Sequence, residues 1–217
     1  MPITNDEWPK DFDVNNVVES LFAKEPRYGK LSVIDIYVRI IRKIDETDVD
    51  LTSDPCFVLA VTEFFSVRCR SSEFIAKFCS LIRDVRNEYD FYNIFSVSTE
   101  LAGISKNKYE ISFASKILHL ADKKHDFIIY DKNVRMCFGL GNVQPTPNSY
   151  KRLVKNFTDF KNELEAGNTD KIYGECRKFL MLFDEGLRNK RIVLSENKKI
   201  DFYLWKLGGY LINNHKK

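Results

Sequence analysis

Apolar residues recur along this chain at the period of a helix, and no stretch alternates like a half-buried hairpin. Phe74, Ile75, Phe78, Leu81, Ile82 and Val85 fall at i, i+1, i+4, i+7, i+8 and i+11. That is one stripe on a helix from about Ser71 to Tyr89, with Ser71-Ser72-Glu73 as its N-cap. Leu31 to Ile44 repeats the pattern through Ile34, Val38 and Ile41, and Val17, Val18, Leu21 and Phe22 predict a shorter helix before Pro26. Asp54-Pro55 opens another that runs to Phe65, a cap followed by proline at the first helical position. Tyr92 to Leu101 predicts one more, stopped near Gly103. No proline stands between Pro55 and Pro145, as a continuous helical body requires. Gly139, Gly141, Pro145 and Pro147 then break the pattern and place a boundary between residues 1–144 and 145–217. Tyr150, Leu153, Val154, Phe157, Phe160 and Leu164 mark the first helix after it. Ile172, Tyr173, Cys176, Phe179, Leu180 and Phe183 mark the second, and Glu196 to about Asn213 the third. The run Phe127-Ile128-Ile129-Tyr130 is too short and isolated to seed a sheet. The expected architecture is all-α, a bundle of nine or ten helices in two closely packed subdomains.

A chain of 217 residues with 44% apolar and 30% charged side chains builds a core, which excludes intrinsic disorder. Its apolar runs are only a few residues long, so no membrane span is expected. The acidic start Met1-Pro2-Ile3-Thr4-Asn5-Asp6-Glu7 lacks the apolar core of a signal peptide, which points to the cytoplasm. Cys56, Cys69, Cys79, Cys137 and Cys176 form no C-x-x-C pair. They read as reduced, mostly buried thiols, and with three histidines they make no metal constellation. Charge is uneven: residues 148–217 carry 15 basic and nine acidic side chains, whereas the residues before them are net acidic. A basic C-terminal third fits a polyanion on one side, or solvated helix surfaces.

The chemically informative stretch runs from Ser112 to Arg135. Phe113, Ile117 and Leu120 make an i, i+4, i+7 face, so this piece is a helix, with Ser112 as its expected N-cap. Lys116 lies beside that face, where partial burial favours the neutral amine. The polar turn Asp122-Lys123-Lys124-His125-Asp126 and the apolar run after it deliver Asp131 to the start of the next helix, where a carboxylate stays ionised. A neutral amine attacks an electrophilic sugar carbon and leaves a Schiff base, and a nearby carboxylate takes the amine proton and steadies an oxocarbenium-like centre. The alternative is a solvated lysine with a capping aspartate.

The order Ser112-Phe113-Ala114-Ser115-Lys116, then Phe127-Ile128-Ile129-Tyr130-Asp131-Lys132-Asn133-Val134-Arg135, resembles the helix-hairpin-helix DNA glycosylases, closest to the bacterial 8-oxoguanine DNA glycosylase-fold branch. The segment Ile200-Asp201-Phe202-Tyr203-Leu204-Trp205-Lys206-Leu207-Gly208 is similar to the closing helix of that branch. The resemblance implies a glycosylase-like fold with a helix-hairpin-helix element, Lys116 as nucleophile and Asp131 as catalytic carboxylate. The implied activity is excision of a damaged or modified base from DNA, with an associated AP lyase step and no cofactor, by a monomer. Repair and defence against modified foreign DNA, such as that of phage, both suit it. One departure is visible: Ser112, Phe113 and Ala114 stand where the family carries a glycine-rich hairpin that lets backbone N–H groups approach phosphate. A non-catalytic helical module that binds nucleic acid or protein on the same scaffold is the alternative.

Further residues take roles around this pair. Ser112 and Ser115 flank the lysine on the DNA side. His119, at i+3 from Lys116, contacts a phosphate or caps the helix. Arg135, at i+4 from Asp131, holds a phosphate or pairs with Asp131 itself. Trp205 and Phe202 would stack on an extruded base and Asp201 would accept from a purine edge, or the aromatics are core and Asp201 a helix charge.

Overall fold

The computed structural model of the protein describes residues 8–25, 31–46, 50–67, 70–105, 107–124 and 126–214. The acidic start at residues 1–7, Cys69 and His125 lie outside them. The described residues form ten α-helices and no strand. They are α1 (Val14–Phe22), α2 (Val33–Asp45), α3 (Pro55–Phe64), α4 (Ser72–Asn87), α5 (Ile94–Ser105), α6 (Ile111–Ala121), α7 (Lys132–Met136), α8 (Pro147–Glu165), α9 (Lys171–Lys190) and α10 (Glu196–Asn214). The run Phe127-Ile128-Ile129-Tyr130 is an irregular connection between α6 and α7. Two compact units result, Leu21–Phe127 and Met1–Ser20 with Ile128–Lys217, and residues 139–147 lie within the second.

In the first unit the helix starts are set by side chains that accept orphan backbone N–H groups. Ser32 and Asp35 form a capping box at α2, and Ser71 accepts from the Phe74 amide at α4. Asp54 accepts from the amides of Cys56 and Phe57, with Pro55 opening α3. α6 packs against α2, α4 and α5 and is buried on nearly every side. Its sequence explains this: Ile111 to Ala121 contains one Lys and no Asp, Glu or Arg, so no face of it favours water.

Two local expectations fail here. α5 does not stop at Gly103 but continues to Ser105, because one helical glycine costs only about 1 kcal/mol and no proline follows. Ser112 is not the N-cap of α6, since that position is Glu110 and Ser112 lies inside the first turn. The Glu110 side chain caps no amide of α6, and the Glu110 backbone N–H donates to Ser98 Oγ at 2.8 Å. The Glu110 carboxylate holds Asn107 Nδ2 at 2.6 Å and Arg70 Nη2 at 3.1 Å. The Arg70 guanidinium lies over the Phe74 and Phe113 rings, at 5.0 and 4.8 Å. Side chains from three helices therefore shape the turn between α5 and α6.

In the second unit α10 packs on α7 and α9. Tyr203, Phe179 and Phe183 fill its centre, with the last two rings stacked at 5.0 Å. Gly208 is where α10 crosses α7. A Cβ there would be 2.9 Å from Asn133 Cα and closer still to the Asn133 carbonyl, so α10 would have to lift. Gly208→Ala is expected to destabilise by roughly 2 kcal/mol or more, lowering Tm by about 5 °C or more. Gly209→Ala meets only the Asn133 side-chain nitrogen Nδ2, at 3.5 Å, and is the matched control. Equal melting temperatures for the two variants would refute the tight crossing.

Of the described thiols, Cys79, Cys137 and Cys176 are buried and Cys56 is exposed. Burial pushes the Cys79 thiol up to about 12 and raises those of Cys137 and Cys176 as well. In native protein a thiol reagent is expected to modify Cys56 quickly and these three only on unfolding. Rapid labelling of Cys79, Cys137 or Cys176 in the native protein, mapped by mass spectrometry, would contradict this.

Candidate functional site

The first unit carries Ser112, Ser115, Lys116 and His119 on α6. Lys116 is 6% exposed, because α6 is enclosed rather than one-sided. Its Nζ donates to the Phe65 carbonyl at 3.0 Å and lies 4.8 Å from the centre of the Phe113 ring. Phe65 is the residue on which α3 ends, so a helix terminus presents an orphan carbonyl to the amine. Nothing in the local sequence around Lys116 announces this partner, which is 51 residues away.

His119 is 1% exposed and has both ring nitrogens engaged. The Phe127 carbonyl can only accept, so Nδ1 donates to it, at 2.8 Å. Nε2 meets the Tyr37 hydroxyl at 2.8 Å. In the neutral imidazole that nitrogen accepts, and the hydroxyl donates. A phosphate contact by His119 is thus corrected to a buried tie between α2, α6 and the exit of the chain from α6. Ser115 is fully buried, and its hydroxyl donates to the Ser112 carbonyl at 2.9 Å. It does not face a DNA backbone. Ser112 itself is half-buried in the first turn of α6.

The second unit carries Asp131, Arg135, Asp201, Phe202 and Trp205. Asp131 caps α7 by accepting from the Asn133 amide at 2.8 Å and remains half-exposed. Arg135 turns inward, 8% exposed, with Nη1 donating to the carbonyls of Leu140 and Val143 at 3.2 and 2.7 Å. Its guanidinium covers the Tyr130 ring at 4.6 Å. It braces the glycine-containing loop after α7, and neither a phosphate contact nor an Asp131 pair is its role among the described residues. Phe202 is buried beside Phe183, ring centres 5.7 Å apart, so it is core and not the wall of an open pocket. Asp201 Oδ2 accepts from Lys198 Nζ at 2.7 Å, a buried ion pair in one turn of α10. Trp205 is half-buried, with the Lys206 ammonium 5.3 Å from its ring centre.

The basic C-terminal third does not stand alone. The first 20 residues join it, and the combined unit has 18 basic and 15 acidic side chains. Among the described residues no three His, Cys, Asp or Glu side chains gather to hold a metal, and no helix is long and apolar enough to cross a membrane. No family model, curated protein or solved structure matches the chain.

Proposed function

We propose that this protein is a cytoplasmic DNA glycosylase with an associated lyase step, acting through Lys116 and Asp131. One observation carries the reading: a lysine amine is withdrawn from water on an enclosed helix and is positioned against a backbone carbonyl and an aromatic face. A lysine amine held in place in this way acts as a nucleophile once it has lost its proton. The Nζ lone pair forms a bond to the sugar C1′ of an extruded nucleotide. The C1′–N bond breaks, and its electron pair leaves with the base, which takes up a proton. The amine nitrogen sheds a proton, the sugar ring oxygen leaves C1′ with its bonding pair and takes up a proton, and the nitrogen lone pair closes the C1′=N bond of the iminium. Extrusion of the nucleotide is required because the stacked duplex hides C1′.

A non-catalytic helical module is the second reading. Its support is that the Lys116 amine already has a structural acceptor in Phe65. Borohydride reduction separates the two. On a panel of duplexes carrying different lesions, the glycosylase reading expects a stable protein–DNA adduct on at least one, and no adduct on any lesion leaves the binding module.

A further inference from the structure

We propose that the exposed face of the first half of α8 is a DNA-phosphate surface that serves Asp131; it rests on the reading of DNA as the substrate. α8 is amphipathic: Tyr150, Leu153, Phe157, Phe160 and Leu164 are buried. The opposite face begins Asn148, Lys151, Arg152, Lys155, at i, i+3, i+4 and i+7, all exposed, with no acid until Asp159. Lys155 pairs with Asp159. The side chains of Lys151 and Arg152 take no ion pair, hydrogen bond or ring contact among the described residues. Elsewhere in this unit cations are commonly engaged: Lys161 with Glu196, Lys198 with Asp201, Lys199 with Asp184, Arg177 with the Leu164 and Asn168 carbonyls.

The place of this face gives it its purpose. The first turn of α8 is fastened to the segment that leads into Asp131. Tyr130 Oη donates to Ser149 Oγ at 2.7 Å, Tyr150 Oη donates to the Ile128 carbonyl at 3.1 Å, and the two tyrosine rings lie 6.0 Å apart. Ser149 and Thr146 complete the anchorage as a capping box. Lys151 and Arg152 directly follow Tyr150, and exposed Lys132 directly follows Asp131. Lys132 is thus next to Asp131 in sequence, and Lys151 and Arg152 stand on the helix whose first turn is hydrogen-bonded to the segment that leads into Asp131. A phosphodiester backbone neutralised there is held in register with Asp131. Phosphate contacts of this kind set position and carry no base specificity.

The test is a salt titration of binding to a short duplex by fluorescence anisotropy, comparing wild type, Lys151→Gln/Arg152→Gln, and a control pair on α9, Lys178→Gln/Arg188→Gln, which removes two exposed cations of the same unit. Each lost phosphate contact lowers the slope of log affinity against log salt by about 0.9, so the α8 pair is expected to lose about 2 and the control almost nothing. An unchanged slope in the α8 pair, an equal loss in the control, or no binding by wild type overturns the surface. The outcome is separable from the chemistry. Wild type that binds with this slope but traps no lesion keeps the surface and loses the glycosylase reading. Trapping with an unaltered slope does the reverse.

Discussion

Lys116→Gln is expected to abolish the borohydride-trapped adduct and strand cleavage on any duplex that wild type traps, while DNA affinity stays nearly unchanged. Glutamine has no amine to form the iminium, so the loss is complete and not partial. The structural cost is bounded. Removing Nζ leaves the Phe65 carbonyl short of its donor, a penalty of roughly 1–3 kcal/mol at a buried site. Lys116→Arg guards against a folding artefact. It keeps a cationic donor near that carbonyl but stays protonated and cannot act as a nucleophile. Both variants should melt cooperatively and trap nothing. Trapping by either at the wild-type level would move the nucleophile to another lysine, with Lys108, Lys123 and Lys124 flanking α6 next in order.

Asp131→Asn should slow base excision by roughly two to four orders of magnitude, the usual scale for a positioned acid–base or electrostatic group. Asparagine accepts from the Asn133 amide as aspartate does, so α7 keeps its cap and the fold is spared. What disappears is the charge. Single-turnover rates measure this directly, and an asparagine variant that excises at the wild-type rate excludes Asp131 from the chemistry.

The helices were legible because their signals are local. Asp54-Pro55 and Ser71 mark starts within one turn, and the stripe from Phe74 to Val85 needs only the 3.6-residue period. The roles of polar side chains were not, because their partners lie far away in sequence. His119 meets Tyr37 82 residues back, and nothing near His119 foretells it. The turn before α6 is shaped by Ser98, Asn107 and Arg70 acting on Glu110, so a motif confined to that turn cannot describe it. The burial of Lys116, by contrast, has a local signal. A segment of eleven residues with a single formal charge is a helix enclosed on all sides, and that composition already places Lys116 indoors. Phe202 follows the ordinary rule that aromatics at helical spacing are core.

Enclosure of α6 also sets the terms on which a substrate is met. A helix gripped by α2, α4 and α5, and tied through His119, has no room to roll or slide. The amine moves only as far as its own four-carbon stem swings away from the Phe65 carbonyl. On the proposed glycosylase reading all remaining travel falls to the nucleotide: a sugar still stacked within a duplex would stay beyond that tether, and selection would act before any bond changes, on how readily a given base leaves the stack.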